Sequence, residues 1–248
     1  MNIGISKEPP RVAASMQEIA KVQAAVKEVS LHLRTHAERV EKTRAIPDDI
    51  LSDVKKTGIF RLVKPQMFGG LEANPTTMID ALSQLATGCA STAWVSAVCG
   101  LHPWMLGTFP LSAQRDVWDD DTNSFITGSY APSAVGKMVS GGIRITGTWQ
   151  FASGCQNADW ALLGAWIPDD SKPSGKFPAF ILVPMSDIEI NDIWYAMGLA
   201  GTGSNNLYLE DVFIPEHRIM SFEKMSSGNS PGSAAHKSFV YNIPFLSV

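Results

Sequence analysis

Two side chains in this sequence stand where they could do chemistry, an imidazole and a hydroxyl. His102 lies in the run Cys99-Gly100-Leu101-His102-Pro103-Trp104, inside a stretch, residues 81–114, that holds no Asp, Glu, Lys or Arg. An imidazole titrates near neutrality, so beside an apolar ligand it could take or give a proton. Read in isolation, it is a core histidine with its nitrogens satisfied. Ser153 closes the stretch Ile145-Thr146-Gly147-Thr148-Trp149-Gln150-Phe151-Ala152-Ser153-Gly154-Cys155. Its hydroxyl can both donate and accept at a ligand's edge, although alone Ser153-Gly154 simply turns the chain after a strand.

Other reactive residue types carry less. Ser52 and Lys55 satisfy S-x-x-K but sit in a charged amphipathic helix, which makes the match chance. His32 and His36 are spaced i, i+4 among charged residues of the first helix, and no metal site is expected there. Cys89, Cys99 and Cys155 are an odd set without C-x-x-C spacing, which suggests neither a disulfide framework nor a zinc knuckle and fits a reducing cytoplasm. Signatures for Rossmann and P-loop nucleotide folds, zincins and serine hydrolases are missing. The net charge of −4, without a basic run, argues against nucleic acid. Met1–Pro10 contains Lys7 and Glu8 but no apolar core, so no export signal is expected. Gln84, Ser91, Ser96, His102 and Pro103 interrupt the uncharged stretch too often for a membrane span, which leaves buried core helices.

The elements that must position these groups follow from periodicity. Met16, Ile19, Val22, Val26, Val29, Leu33, Ala37 and Val40 step by three or four, predicting one long helix with a single buried face. Pro47-Asp48-Asp49 starts a second that Gly58 ends, Asn74-Pro75 starts a third reaching Thr87, and Ala90–Leu101 and Leu111–Trp118 are two more. From Phe125 the period becomes alternating. Lys137–Ser140 and Ile143–Thr146 around Gly141-Gly142 read as a hairpin, and Trp160–Ile167, Ala179–Val183, Ile188–Trp194 and Leu207–Phe213 as further strands. The expected architecture is α+β: an N-terminal α-helical domain, 1–120, then an antiparallel β-barrel or sandwich domain, 121–225. Residues 226–248 read as a flexible connector and an apolar tail, Phe239 to Val248.

Four stretches in order carry a family resemblance: Gly58-Ile59-Phe60 with Phe68-Gly69-Gly70, the 145–155 stretch, Gly198-Leu199-Ala200-Gly201-Thr202-Gly203-Ser204, and Leu209-Glu210-Asp211-Val212-Phe213-Ile214-Pro215. From Ala45 to Val248 the chain resembles the acyl-CoA dehydrogenase superfamily of flavoproteins, and within it the oxygenase components of two-component aromatic hydroxylases. That resemblance implies a flavin-dependent monooxygenase: reduced flavin (FMN or FAD), bound non-covalently and supplied by a separate flavin reductase, reacts with O2 through a C4a-hydroperoxyflavin to hydroxylate a phenol or related aromatic.

The resemblance also assigns residues. Phe151, Ala152 and Ser153 fall where relatives lay a segment along the isoalloxazine ring, with Gly154 following, and Ser153 is expected at flavin N5. Thr127-Gly128-Ser129 falls in a flavin-contacting loop, though Tyr130-Ala131-Pro132 departs from the acidic version the dehydrogenases carry. His102 is expected to take the phenolic proton, and Trp94, two turns earlier, to wall the substrate pocket. Gly201-Thr202-Gly203-Ser204 is read as a turn. Relatives continue past the position of Val248 into a four-helix bundle that builds a tetramer, so the expectation here is a chain lacking that bundle. The alternatives are an acyl-CoA dehydrogenase, or a non-catalytic binding or assembly module.

Overall fold

The computed structural model describes residues 11–245, with side chains from residue 16 onward. The first helix, α1 (Arg11–Thr43), buries Val22, Val26, Leu33 and Val40 along the stripe that the spacing laid out. Met16 is 68% exposed, so packing of that stripe begins at Ile19, one turn later than the spacing implies. Pro47 and two acidic residues open α2 (Asp48–Lys56), and Gly58 follows at φ +82°, a conformation that glycine adopts without steric cost. Asn74 caps α3 (Pro75–Ala86) by accepting the Thr76 N–H at 3.0 Å. Helix α4 (Ala90–Gly107) runs past Leu101, where the sequence reading ended it, and carries Pro103 inside. It is buried along most of its length, which is why it needs no charged face. Helix α5 (Leu111–Trp118) closes the helical half.

Eight strands follow: β1 (Ile126–Val135), β2 (Lys137–Val139), β3 (Gly142–Ala152), β4 (Trp160–Pro168), β5 (Lys176–Pro184), β6 (Glu189–Asn191), β7 (Asn205–Pro215) and β8 (Ile219–Ser221). They form two four-stranded sheets, in the orders β1-β4-β5-β8 and β2-β3-β7-β6. The sheets share an apolar layer that includes Ile143, Trp149, Leu163, Ile181, Leu209 and Ile214. The far side of the first sheet, with Leu162, Phe180 and Leu182, joins the helical core. Strands β4 and β5 are therefore covered on both faces and read as nearly unbroken apolar runs, whereas β3, covered on one, alternates.

Three expectations need correction. The sheets are not wholly antiparallel, because β1 pairs with β4 in parallel register from Ile126 opposite Trp160 to Ser129 opposite Leu163. The excursion through β2 and β3 in the other sheet supplies the long crossover that a parallel pair requires. The strand expected over Ile188–Trp194 shrinks to β6, because the Asn205 side-chain oxygen takes the N–H groups of Ile193 and Trp194, each at 3.1 Å. Finally, the segment expected to be a flexible connector is folded and the apolar tail docks: after α6 (Phe222–Ser226), residues 227–245 form α7 (Pro231–Ala235) and a short 3₁₀ turn, with Val240, Tyr241 and Phe245 buried. Trp104 Nε1 donates to the Val240 carbonyl at 2.8 Å and the Tyr241 hydroxyl to the Val63 carbonyl at 3.0 Å. These contacts give the apolar residues the cover that water would deny them. The remaining tail residues, 246–248, lie outside the described residues.

Candidate active site

Strand β3 ends irregularly, and the irregularity delivers Ser153. Its register against β7 shifts between Trp149 and Ala152, and Phe151 adopts φ +61° with its ring 60% exposed. Ala152 turns into the sandwich interior, fully buried. Ser153 lies at the rim of the helical half, where Trp94 Nε1 donates to its Oγ at 3.1 Å and the Ser204 hydroxyl bonds it at 2.8 Å. Ser204 in turn bonds Thr202 Oγ1 at 2.7 Å, and Thr202 donates to the Leu199 carbonyl at 2.8 Å. The Trp94 ring is half exposed, and Phe151 stands edge-on to Trp194 at 6.0 Å between centroids. Two accessible aromatic surfaces thus belong to the residues around one hydroxyl.

The β1 residues brace this segment. Thr127 Oγ1 donates to the Ser153 carbonyl at 2.9 Å and Ser129 Oγ to the Gln150 carbonyl at 2.8 Å. Both protons are thereby committed to backbone. Gly154, at φ +73°, donates its N–H to the Thr202 carbonyl at 2.8 Å. The facing 192–204 segment is tied to the end of α1: Glu41 accepts the N–H groups of Ala200 (2.8 Å) and Gly201 (3.3 Å) and the Ser91 hydroxyl, while Arg44 pairs with Asp192 at 2.6 Å and covers the Tyr195 ring.

His102 is set apart from that rim. Its ring is wholly buried, edge-on to Tyr130 at 5.7 Å, and Nδ1 donates to the Ile126 carbonyl at 2.6 Å. Since a carbonyl only accepts, Nδ1 carries the proton and Nε2 the lone pair. Nε2 has no hydrogen-bond partner among the described residues. Burial pushes the imidazole pKa down to about 4, against a smaller opposing effect of the Ile126 bond, so the ring is neutral at physiological pH. Successive positions of a strand alternate, and β1 uses that: Gly128 faces His102 while Thr127 faces the Ser153 carbonyl. A Cβ at 128 would lie 2.8 Å from Nε2. Burial also raises the Cys99 thiol, which lies 3.6 Å from the Ser153 carbonyl, and lifts Cys155 to about 11, so both stay protonated.

The structure therefore gathers Trp94, Phe151 and Ser153 at one rim, places Thr127 and Ser129 behind it as supports, and holds His102, with Gly128 against it, in the interior. Sequence reasoning missed Ser204, Thr202, Asn205 and Glu41. The first two stood in plain view in Gly201-Thr202-Gly203-Ser204, which does turn the chain as expected, but whose hydroxyls also line up behind Ser153.

A helical half closed onto a two-sheet β half, with a polar rim where they meet, is the architecture of acyl-CoA dehydrogenase-like flavoproteins. The acyl-CoA dehydrogenase N-terminal domain family matches residues 15–120. The chain is 43% identical over 213 residues to the oxygenase subunit HsaA, a flavin-dependent monooxygenase of Rhodococcus jostii, covering 86% of this chain and 55% of that protein. It is 40% identical over 214 residues to the oxygenase component of an FADH(2)-dependent resorcinol hydroxylase from a Rhizobium species, covering 86% and 52%. The crystal structure of 3-HSA hydroxylase from Rhodococcus sp. RHA1 superposes with a TM-score of 0.87 at 40% identity, covering 91% of this chain and 58% of that one. Residues 15–120 thus belong to the acyl-CoA dehydrogenase N-terminal domain family, and over most of its length the chain is similar to oxygenase components of flavin-dependent monooxygenases. It spans a little over half the length of these relatives.

A planar aromatic cofactor fits what lies at the rim. The accessible rings of Trp94 and Phe151 adjoin the Ser153 hydroxyl there, and deeper in, buried Nε2 of His102 lacks a partner among the described residues. No helix among the described residues is long and apolar enough to cross a membrane.

Proposed function

We propose that this chain forms the helical and β portions of the oxygenase component of a flavin-dependent monooxygenase, which hydroxylates a phenol or related aromatic with O2. Reduced flavin, FMN or FAD, supplies the oxygen-activating chemistry when bound. A separate reductase delivers it, and the assembly works in the cytoplasm as a homotetramer. The observation that carries this reading is the Ser153 hydroxyl at a rim flanked by the accessible rings of Trp94 and Phe151, on a chain whose relatives are named monooxygenases and hydroxylases.

The chain's own residues then have distinct tasks. Ser153 bonds the ring nitrogen N5, and the backbone of Phe151 to Gly154 follows the ring edge. Thr127 and Ser129 fix that backbone through its carbonyls, and Gly128, lacking a Cβ, lets the imidazole approach the strand closely. Trp94 walls the aromatic substrate. His102, neutral with its lone pair on Nε2, accepts the phenolic proton, which raises electron density on the substrate ring. The buried interior on the α4 side excludes water from the reacting groups.

The test is reconstitution of the full-length protein with a flavin reductase, NADH and a panel of simple phenols. Oxygen uptake matched by hydroxylated phenol is expected. Oxygen consumed to hydrogen peroxide alone across the panel would overturn the reading.

A further inference from the structure

The hydroxyls behind Ser153 have a fixed direction. The Leu199 carbonyl can only accept, so the Thr202 proton goes to it at 2.8 Å. The Thr202 oxygen then accepts from Ser204 at 2.7 Å, and the Ser204 oxygen from Ser153 at 2.8 Å. The one proton of Ser153 therefore points inward. What Ser153 shows to the rim is unshared electron density, part of which takes the Trp94 N–H at 3.1 Å. All three hydroxyls are almost closed to solvent, with Ser153 4%, Ser204 2% and Thr202 1% exposed, so water does not scramble the order. The end of the chain is fixed as well. Glu41 holds the N–H groups of Ala200 and Gly201, and the Leu199 carbonyl also accepts Trp194 Nε1 at 3.0 Å and the Thr202 N–H at 3.1 Å.

Resting on the flavin reading above, we infer that the Ser153–Ser204–Thr202 chain, terminated by the Leu199 carbonyl, makes the rim a hydrogen-bond acceptor and thereby selects the reduced cofactor over the oxidised one. Reduced flavin carries hydrogen on N5, whereas oxidised flavin carries only a lone pair there. Ser153 can accept from the first as it stands. To donate to the second, Ser153 must give up its bond to Ser204, or every hydroxyl must reverse and the bond from Thr202 to Leu199 is lost; either way one hydrogen bond goes. The loss of one neutral hydrogen bond corresponds to about tenfold in an equilibrium. Thr202 and Ser204 are positioning residues, acting through Ser153.

The experiment measures dissociation constants of oxidised and anaerobically reduced FMN and FAD, and the midpoint potential of bound flavin, on the full-length protein. Wild type is expected to bind the reduced form more tightly. Thr202→Val keeps the shape but removes the acceptor for Ser204, which then turns to donate to Ser153 and frees the Ser153 proton to point outward. The oxidised-to-reduced ratio of dissociation constants should fall on the order of tenfold, equivalent to a drop of about 30 mV for a two-electron couple. Ser204→Ala should act in the same direction and carries the test if Thr202→Val does not fold. Thr202→Ser, which keeps the hydroxyl, should restore the wild-type ratio. A ratio within twofold of wild type in both Thr202→Val and Ser204→Ala, with flavin still bound, would overturn the inference and leave the function standing. A wild-type protein that binds neither form overturns both.

Discussion

The two sides of β1 follow opposite electrostatic rules. On one, His102 sits in apolar surroundings with a single bond, its other nitrogen bare and its charged form suppressed. On the other, Ser153 is held in a chain in which each hydroxyl both donates and accepts, at an edge faced by half-open indole. The first arrangement stores an unsatisfied capacity to accept a proton, at a desolvation cost the surrounding packing must offset. The second stores direction and has little capacity left over. Residue type alone would rank both as polar site candidates, and only their surroundings separate a base from a register mark.

Three measurements bear on that contrast. The largest effect should come from forcing a side chain between the strand and the imidazole. Gly128→Val places a Cβ 2.7 Å from the Leu162 carbonyl and 2.8 Å from His102 Nε2, so urea denaturation should show a loss of about 3 kcal/mol. A loss below about 1 kcal/mol would mean that the enclosure is loose. Next is pH. The folded imidazole has its pKa near 4, below the free value near 6.5, so the unfolded chain takes up its proton first. Stability from this group is complete above pH 6.5 and declines as pH falls, by roughly 3 kcal/mol at pH 4. His102→Gln should flatten that part of the stability profile between pH 6.5 and 4; an unchanged slope there would show the ring to be solvated. The smallest effect belongs to the rim. Trp94→Phe removes one neutral bond from a ring already 51% exposed and should cost less than about 1 kcal/mol in the same denaturation assay. If it costs as much as Gly128→Val, the two sides are not different in kind.

The helical half was legible because one-sided burial leaves a period: Val22, Val26, Leu33 and Val40 are buried as spaced, and Pro47, Gly58 and Asn74 mark ends through backbone chemistry that is local. Strands β4 and β5 were legible from their β-branched and aromatic content. What stayed hidden depends on partners remote in sequence. Nothing near Ile193 says that the Asn205 amide will take its N–H and end β6, and nothing in Ile126–Ser129 says its neighbour will be parallel. The site divides along the same line. Ser153 and His102 stand out by their immediate sequence, but the direction of the Ser153 hydroxyl is set by Thr202 and Ser204, and their turn by Glu41, 159 residues from Ala200. Likewise Tyr241 and Val240 were visible as apolar residues needing cover, while Val63 and Trp104, which supply it, were not.

The parallel seating of β1 has a consequence for how this protein comes together. β1 lies at the edge of its sheet, bonded there to β4 alone, and a parallel pair cannot close through a tight turn. The β4–β5 hairpin can form from neighbours in sequence, but β1 must wait for the intervening strands to reach the opposite sheet and return. Since β1 supplies both the carbonyl that grips His102 and the hydroxyl that grips Ser153, the topology predicts that the site is completed late in folding. A pulse of deuterium early in refolding should accordingly find β4 amides protected while those of β1 still exchange.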